Sequence, residues 1–344
     1  MIGYALLILL VFIIDNTKET LEKKYLYVFF VLFVFSGFRY GIGYDYFSYY
    51  ENIMESAESE PIPGLLMFFS REVHYSIFFI TSSFFINYFF IKGLAVSKTP
   101  YESVYLYLGL PVFFVSSLSI VRQYMAISVI FYLICLQNPS IKKKIAYIIL
   151  AFLCHRSALI TLFLLLPIEK WLNRKSLIVI FGLSIVLGEL FVKYLLQMAV
   201  SSPFMIYFIR FLEMEVPGGF YKRIVIYVLA LLVLLNYNGL TNRGVQRKFI
   251  VLTVVGASIF ALFSVQSHIA ERFCTFFFSS ILLYFYVLRR NFKFPIFLYK
   301  WLCITFFIMQ IYVGHITSST NSDYSEYRDS LFYPYEMIFW NSPE

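Results

Sequence analysis

Several groups of residues in this chain combine charge, hydroxyl and aromatic character in spacings that suit sugar or phosphate chemistry. The segment Phe38-Arg39-Tyr40-Gly41-Ile42-Gly43-Tyr44-Asp45-Tyr46, continuing to Tyr49 and Tyr50, sets one guanidinium and one carboxylate among tyrosine rings. Its glycines allow a tight turn, its rings suit stacking on sugars, and Arg39 with Asp45 supplies one donor and one carboxylate. The competing reading is an interfacial aromatic belt with a loose ion pair. Gly-x-Gly here lacks the third glycine and the βαβ context of a dinucleotide fingerprint. Ser116, Ser119, Arg122 and Gln123 fall near one helical face, with Arg122 at a membrane boundary. An arginine in hydrocarbon costs roughly 2.5–3.5 kcal/mol, so unless it snorkels it is retained for a ligand or a partner. His155-Arg156-Ser157 interrupts an apolar run. Irregular backbone at that depth lines a wet cavity or is buried in protein, which suits a proton-transfer histidine or a hydrogen-bonded structural one. His268, Glu271, Arg272, Thr275 and Ser279 stand at i, i+3, i+4, i+7 and i+11, a polar stripe that must face the bundle interior or water. Glu189 and Lys193 are i,i+4 partners. Segment 200–222, with Arg210, Glu213, Glu215, Pro217-Gly218-Gly219 and Lys222, reads as an interfacial helix closed by a turn that caps a site or lies on the membrane.

The elements that must position these groups are membrane helices. The chain has 344 residues, 60% hydrophobic and 14% charged, and its mean hydropathy of +0.75 lies outside the range of soluble domains. Apolar runs at 1–14, 25–38, 75–91, 101–118, 120–136, 145–168, 177–199, 223–237, 249–266, 268–288 and 295–313 follow one another through short polar links. The spacing predicts one all-α polytopic membrane domain over 1–344, with about 11–12 transmembrane segments. The run 1–14 lacks a basic n-region and a clear cleavage site, so it reads as a retained helix.

The net charge of +8 comes from Lys and Arg placed between apolar runs, the pattern of orientation signals and not of a nucleic-acid surface. Basic links at Lys18/Lys23/Lys24, Lys92/Lys98, Lys142–Lys144, Lys170/Arg174/Lys175, Arg243/Arg247/Lys248 and Arg289/Arg290/Lys293 fall on one side if the run 145–168 turns back on itself. We therefore expect a re-entrant hairpin of helices 145–154 and 157–168 with His155-Arg156-Ser157 at its tip. The opposite, external face then collects the loops 39–74 and 200–222 and the tail 314–344. It also holds arginines that run against the positive-inside bias and need another explanation.

Several chemistries lack their residues. There is no Asp-x-Asp, no Cys/His metal spacing, no nucleophile elbow and no P-loop, so we expect neither metal nor cofactor. Cys135, Cys154, Cys274 and Cys303 lie in or at the ends of apolar runs and read as core residues. Several outward arginines instead suit an anion with more than one phosphate, because the guanidinium fork matches phosphate oxygens.

At this point the chain resembles the O-antigen polymerase (Wzy) type of protein, and particularly its EpsG-like exopolysaccharide branch. The resemblance rests on Arg39 to Tyr46 with Tyr49 and Tyr50, Glu60-Pro61 to Gly64 before a Phe-rich span, Arg122-Gln123, the stretch around His155 and Ser157, and Glu271-Arg272-Phe273-Cys274. It implies a fold like the C-type glycosyltransferases and residence in the bacterial cytoplasmic (inner) membrane with the active site facing the periplasm. There a growing glycan on undecaprenyl pyrophosphate would pass to a new lipid-linked repeat unit, without metal, in the making of lipopolysaccharide, capsule or exopolysaccharide. Such a transferase needs a base and cations for the departing pyrophosphate. We expect the base among Asp45, His155 and Glu271, and substrate binding by Arg39, Tyr46, Arg122, Gln123, Arg272, His268 and Arg210. Tail aromatics such as Tyr324, Tyr327, Tyr333, Tyr335 and Trp340 fit sugar holding or plain interfacial packing. The resemblance also implies a separate chain-length regulator as partner. A ligase would share the topology, the lipid donor and the arginines. A flippase should show two related halves and midplane charges, and an acyltransferase a histidine with a nearby acid; the sequence displays none of these.

Overall fold

In the computed structural model, described for residues 2–55, 60–200, 219–319, 332 and 335–339, the chain is almost wholly helical. It divides into two compact units, Met1–Leu159 with Pro295–Glu344, and Ile160–Phe294.

In the first unit α1 (Ile2–Asn16) and α2 (Leu21–Gly37) are joined by a short turn. Thr20 caps α2 by accepting the Lys23 N–H, as its residue type favours. The chain then makes a two-residue strand β1 (Arg39–Tyr40), α3 (Tyr46–Glu55) and α4 (Pro61–Glu72). After the long α5 (Ser76–Val96) come α6 (Glu102–Gly109), α7 (Phe114–Ser119), α8 (Val121–Cys135) and α9 (Ile141–Cys154). Helix α5 packs against both α2 and α8, α8 against α9, and α6 against the last helix, Ile296–Ser319. The close approach of α6 to that last helix depends on Gly109, where a Cβ would stand 2.6 Å from the Cys303 carbonyl oxygen. The second unit is built on Arg247–Leu262, which packs against Arg174–Val200, Gly219–Leu235 and Ser267–Phe278.

Among the described residues three helices, Ser76–Val96, Arg174–Leu195 and Ile296–Gly314, are long and apolar enough to cross a membrane. A fourth arises if Ile269–Leu283 and Phe285–Asn291, bent by 58°, form one broken span. The all-α polytopic class stands, but the apolar runs do not translate one for one into spans. The run 101–118 is divided at Leu110–Phe113, where Pro111 cannot donate an N–H. The run 268–288 passes through a short 3-10 segment, Ser279–Leu283, before it bends. Ile2–Asn16 and Val121–Cys135 have 15 residues each, short for a full crossing.

The run 145–168 breaks where its polar tetrapeptide predicts. Helix α9 ends at Cys154, His155 is extended (φ −161°, ψ 130°), and a 3-10 helix follows over Arg156–Leu165. The four cysteines are free and buried.

One pairing was invisible in the sequence. Strand β2 (Glu336–Met337) lies antiparallel to β1, with Arg39 opposite Met337 and Tyr40 opposite Glu336. Tyr335 stacks on Phe35 with 4.3 Å between centroids and donates its hydroxyl to the Phe35 carbonyl at 2.6 Å. The Ile338 N–H donates to the Phe38 carbonyl at 3.0 Å. Tyr335, considered for sugar holding or packing, is thus buried core; Tyr324, Tyr327, Tyr333 and Trp340 lie outside the described residues.

Candidate functional site

Helix ends of the first unit converge on one carboxylate. Glu60 precedes Pro61, and a proline at the first helical position fixes where α4 starts. The Glu60 carbonyl accepts the Gly64 N–H at 2.8 Å, but its carboxylate does not cap its own helix. Instead Oε1 accepts the backbone N–H of Arg156 at 3.0 Å, Oε2 lies 3.5 Å from Nη1 of Arg122, and Oε1 lies 3.9 Å from Nδ1 of His155. The glutamate is only 6% exposed. A buried carboxylate is tolerated when cations and N–H donors surround it, and Glu60 has both.

Arg122 stands in the first turn of α8, next to the break at Ile120 (φ −93°, ψ 58°). The partial positive charge of a helix N-terminus opposes a cation there, and Glu60 offsets it. The guanidinium also lies 5.7 Å over the Tyr49 ring, a cation–π distance. Burial first and the Asp45 charge second push the Tyr49 phenol up to about 12, against the pull of Arg122. Asp45 itself is half-buried at the start of α3, where its carbonyl accepts the Tyr49 N–H at 2.9 Å.

His155 sits where α9 gives way to the 3-10 helix. Its Nδ1 accepts the backbone N–H of Ser157 at 3.1 Å and lies 2.7 Å from Ser157 Oγ. An Nδ1 that accepts an N–H leaves the proton of the neutral ring on Nε2.

Arg39 is held differently. It is 1% exposed; Nε donates to the Ile42 carbonyl at 3.0 Å, Nη2 to the Leu118 carbonyl at 3.0 Å, and Nη1 to Ser83 Oγ at 3.2 Å and to the Ser36 carbonyl. Phe79 lies under the guanidinium at 5.3 Å. Burial lowers its pKa to about 10, which leaves it charged at neutral pH. Gly43, at φ +112°, is required beside it, since a Cβ there would collide with the Leu118 carbonyl. Tyr46 is also buried, stacked on Phe79 at 4.1 Å, and Gln123 is fully buried.

In the second unit Glu271 is 5% exposed and pairs with Lys222 Nζ at 2.5 Å. Its carbonyl accepts the Thr275 hydroxyl at 2.7 Å, and Arg272 beside it is half-buried. Arg223 donates to the Ser264 carbonyl. The backbone of His268 is helical; its side chain, and all of Arg210, lie outside the described residues. Among the described residues no group of three or more His, Cys, Asp or Glu side chains is placed to hold a metal ion.

Of the residues singled out in the sequence, Arg122 and His155 come together, with Asp45 acting on the same tyrosine as Arg122. Tyr49, from the aromatic segment, joins them, and so does Glu60, which the sequence offered only as part of a resemblance. The available signal for Glu60 was its place immediately before a helix-starting proline, which puts the side chain at a helix end.

No curated protein and no solved structure matches the chain. A family model does match, over residues 24–337, nearly the whole chain and every element of the cluster described above. By that match, and by its helical membrane architecture, the chain belongs to the EpsG family.

Proposed function

We propose that this protein is a polysaccharide polymerase that elongates glycan on undecaprenyl pyrophosphate at the periplasmic face of the bacterial inner membrane, without a metal ion. Family membership supports the coarse reading of a polysaccharide-polymerase type of membrane protein. The observation that carries the finer one is the convergence of Arg122, His155 and the Arg156 N–H on buried Glu60. Transfer from a lipid pyrophosphate develops negative charge on the departing diphosphate, and preorganised donors in a site of low polarity stabilise it.

Arg122, 31% exposed at its side chain, keeps a surface for the diphosphate while Glu60 fixes its position. His155 adds its Nε2–H to the same anion, a donor role in place of the base role its residue type suggested. The acceptor hydroxyl loses its proton to Asp45, a half-buried carboxylate whose charge acts on Tyr49, the ring beneath Arg122. The anomeric carbon is inverted as the acceptor oxygen forms the new bond and the carrier leaves as undecaprenyl pyrophosphate. Arg39 and Tyr46 build the turn that carries Asp45.

The test is purified protein with a synthetic lipid-linked repeat unit in chelator, without nucleotide. Polymer is expected from the natural protein and none from Arg122→Ala. Cells lacking the protein should display single-repeat glycan; loss of that product as well would favour a flippase or a ligase.

A further inference from the structure

The α5 span carries an amide near its middle. Asn87 is 2% exposed, and its Nδ2 donates to Ser36 Oγ at 2.9 Å and to the Ser83 carbonyl at 2.8 Å. A polar side chain at such a position is costly unless it is bonded and turned inward. The same two serines anchor Arg39, whose Nη1 donates to the Ser36 carbonyl and to Ser83 Oγ. Both serines are 3% exposed. Asn87, Ser36, Ser83 and Arg39 therefore form one buried hydrogen-bonded group that joins α2 to α5.

From Arg39 the group extends to the site. Nη2 holds the Leu118 carbonyl, Nε holds the Ile42 carbonyl, and Ser119 Oγ accepts the Tyr44 N–H at 3.1 Å. Ser119 ends α7, Ile120 breaks the helix, and Arg122 follows in the first turn of α8. The register of Leu118–Ser119 thus sets where the Arg122 guanidinium meets Glu60.

We propose that Asn87 is a positioning residue for Arg122, acting through Ser36, Ser83 and Arg39 to hold the 39–44 turn against the end of α7. An apolar side chain of equal size would fill the space without donating, leaving the buried Ser36 Oγ without its N–H donor. The proposal rests on the polymerase reading only for its kinetic readout.

The experiment uses the full chain in nanodiscs, as Asn87→Leu and Asn87→Gln. Two quantities are read: amide hydrogen exchange over 39–46, and polymerisation of a synthetic lipid-linked repeat unit. In Asn87→Leu exchange over 39–46 should accelerate about tenfold, and kcat should fall about tenfold with KM nearly unchanged, since the loss is felt where charge develops. Asn87→Gln, which keeps the amide donor, should recover most of both. Adding Ser36→Ala to Asn87→Leu should cost nothing further, because the two act as one unit. Unchanged exchange in Asn87→Leu overturns the proposal whatever the kinetics, and so does faster exchange with normal kcat. If the natural protein makes no polymer, the polymerase reading falls and the exchange comparison alone decides the role of Asn87. Should Asn87→Leu fail to fold, Asn87→Ser is read by the same two measurements.

Discussion

Two arginines of the first unit, Arg39 and Arg122, look interchangeable in the sequence and are used in opposite ways. Arg39 is 1% exposed, with its donors shared among three carbonyls and a hydroxyl. Arg122 is 31% exposed at its side chain, held by a carboxylate 3.5 Å away and a tyrosine ring. Neutral acceptors spend a guanidinium on the fold. A carboxylate at a helix end orients one that stays partly exposed. The contrast teaches that an outward arginine is a ligand-binding candidate only after its backbone acceptors are counted.

The sharpest way to break this comparison is Arg122→Ala. Polymerisation should fall roughly 100-fold or more, the scale of losing one transition-state donor, with insertion and thermal stability retained; normal polymer lengths on a gel would remove Arg122 from the chemistry. Glu60→Gln keeps the shape and loses the charge that orients Arg122. Activity should drop about tenfold, equivalent to about 1.4 kcal/mol of barrier, and Glu60→Gln should add little to the loss in Arg122→Ala. Arg39→Lys should act on stability first. A single ammonium cannot reach acceptors on Ile42, Leu118 and Ser36 together, and each buried group left unmet costs about 1–3 kcal/mol, which a thermal-shift assay in detergent reads as a clear fall in Tm. A variant as stable as the natural protein would erase the distinction between the two arginines. Tyr335→Phe removes the hydroxyl donated to the Phe35 carbonyl and should cost about 1 kcal/mol, visible as a small Tm shift. Glu189→Gln should change neither measurement, since its pairing with Lys193 is exposed on both sides.

Much of the fold was legible because hydrocarbon solvent leaves the backbone few choices. The break at His155 could be located from four polar or small residues inside a long apolar run. The division at Pro111 could have been, since proline cannot continue a helix hydrogen-bond ladder. The apolar runs 75–91 and 295–313 mark the starts of α5 and of the last helix within one residue, while both helices continue past them to Val96 and Ser319. What the sequence withheld were contacts that depend on distant backbone. Nothing in Phe38-Arg39-Tyr40 says that carbonyls of Ile42, Ser36 and Leu118 turn toward one guanidinium, and nothing near Tyr335 announces Phe35 as its partner. Glu60 was undervalued for the same reason. A lone glutamate in a polar loop looks solvated until three helix ends are seen to aim at it.

The β1–β2 pairing also bears on how the protein comes into being. Arg39 and Tyr40 leave the ribosome long before Glu336 and Met337, so during most of synthesis the motif strand is an unmatched edge at the membrane surface. Arg39 and Tyr40 reach their paired form only when Glu336 and Met337 arrive. A chain made only as far as Ile296–Ser319 would hold its helices while β1 still lacked its partner strand.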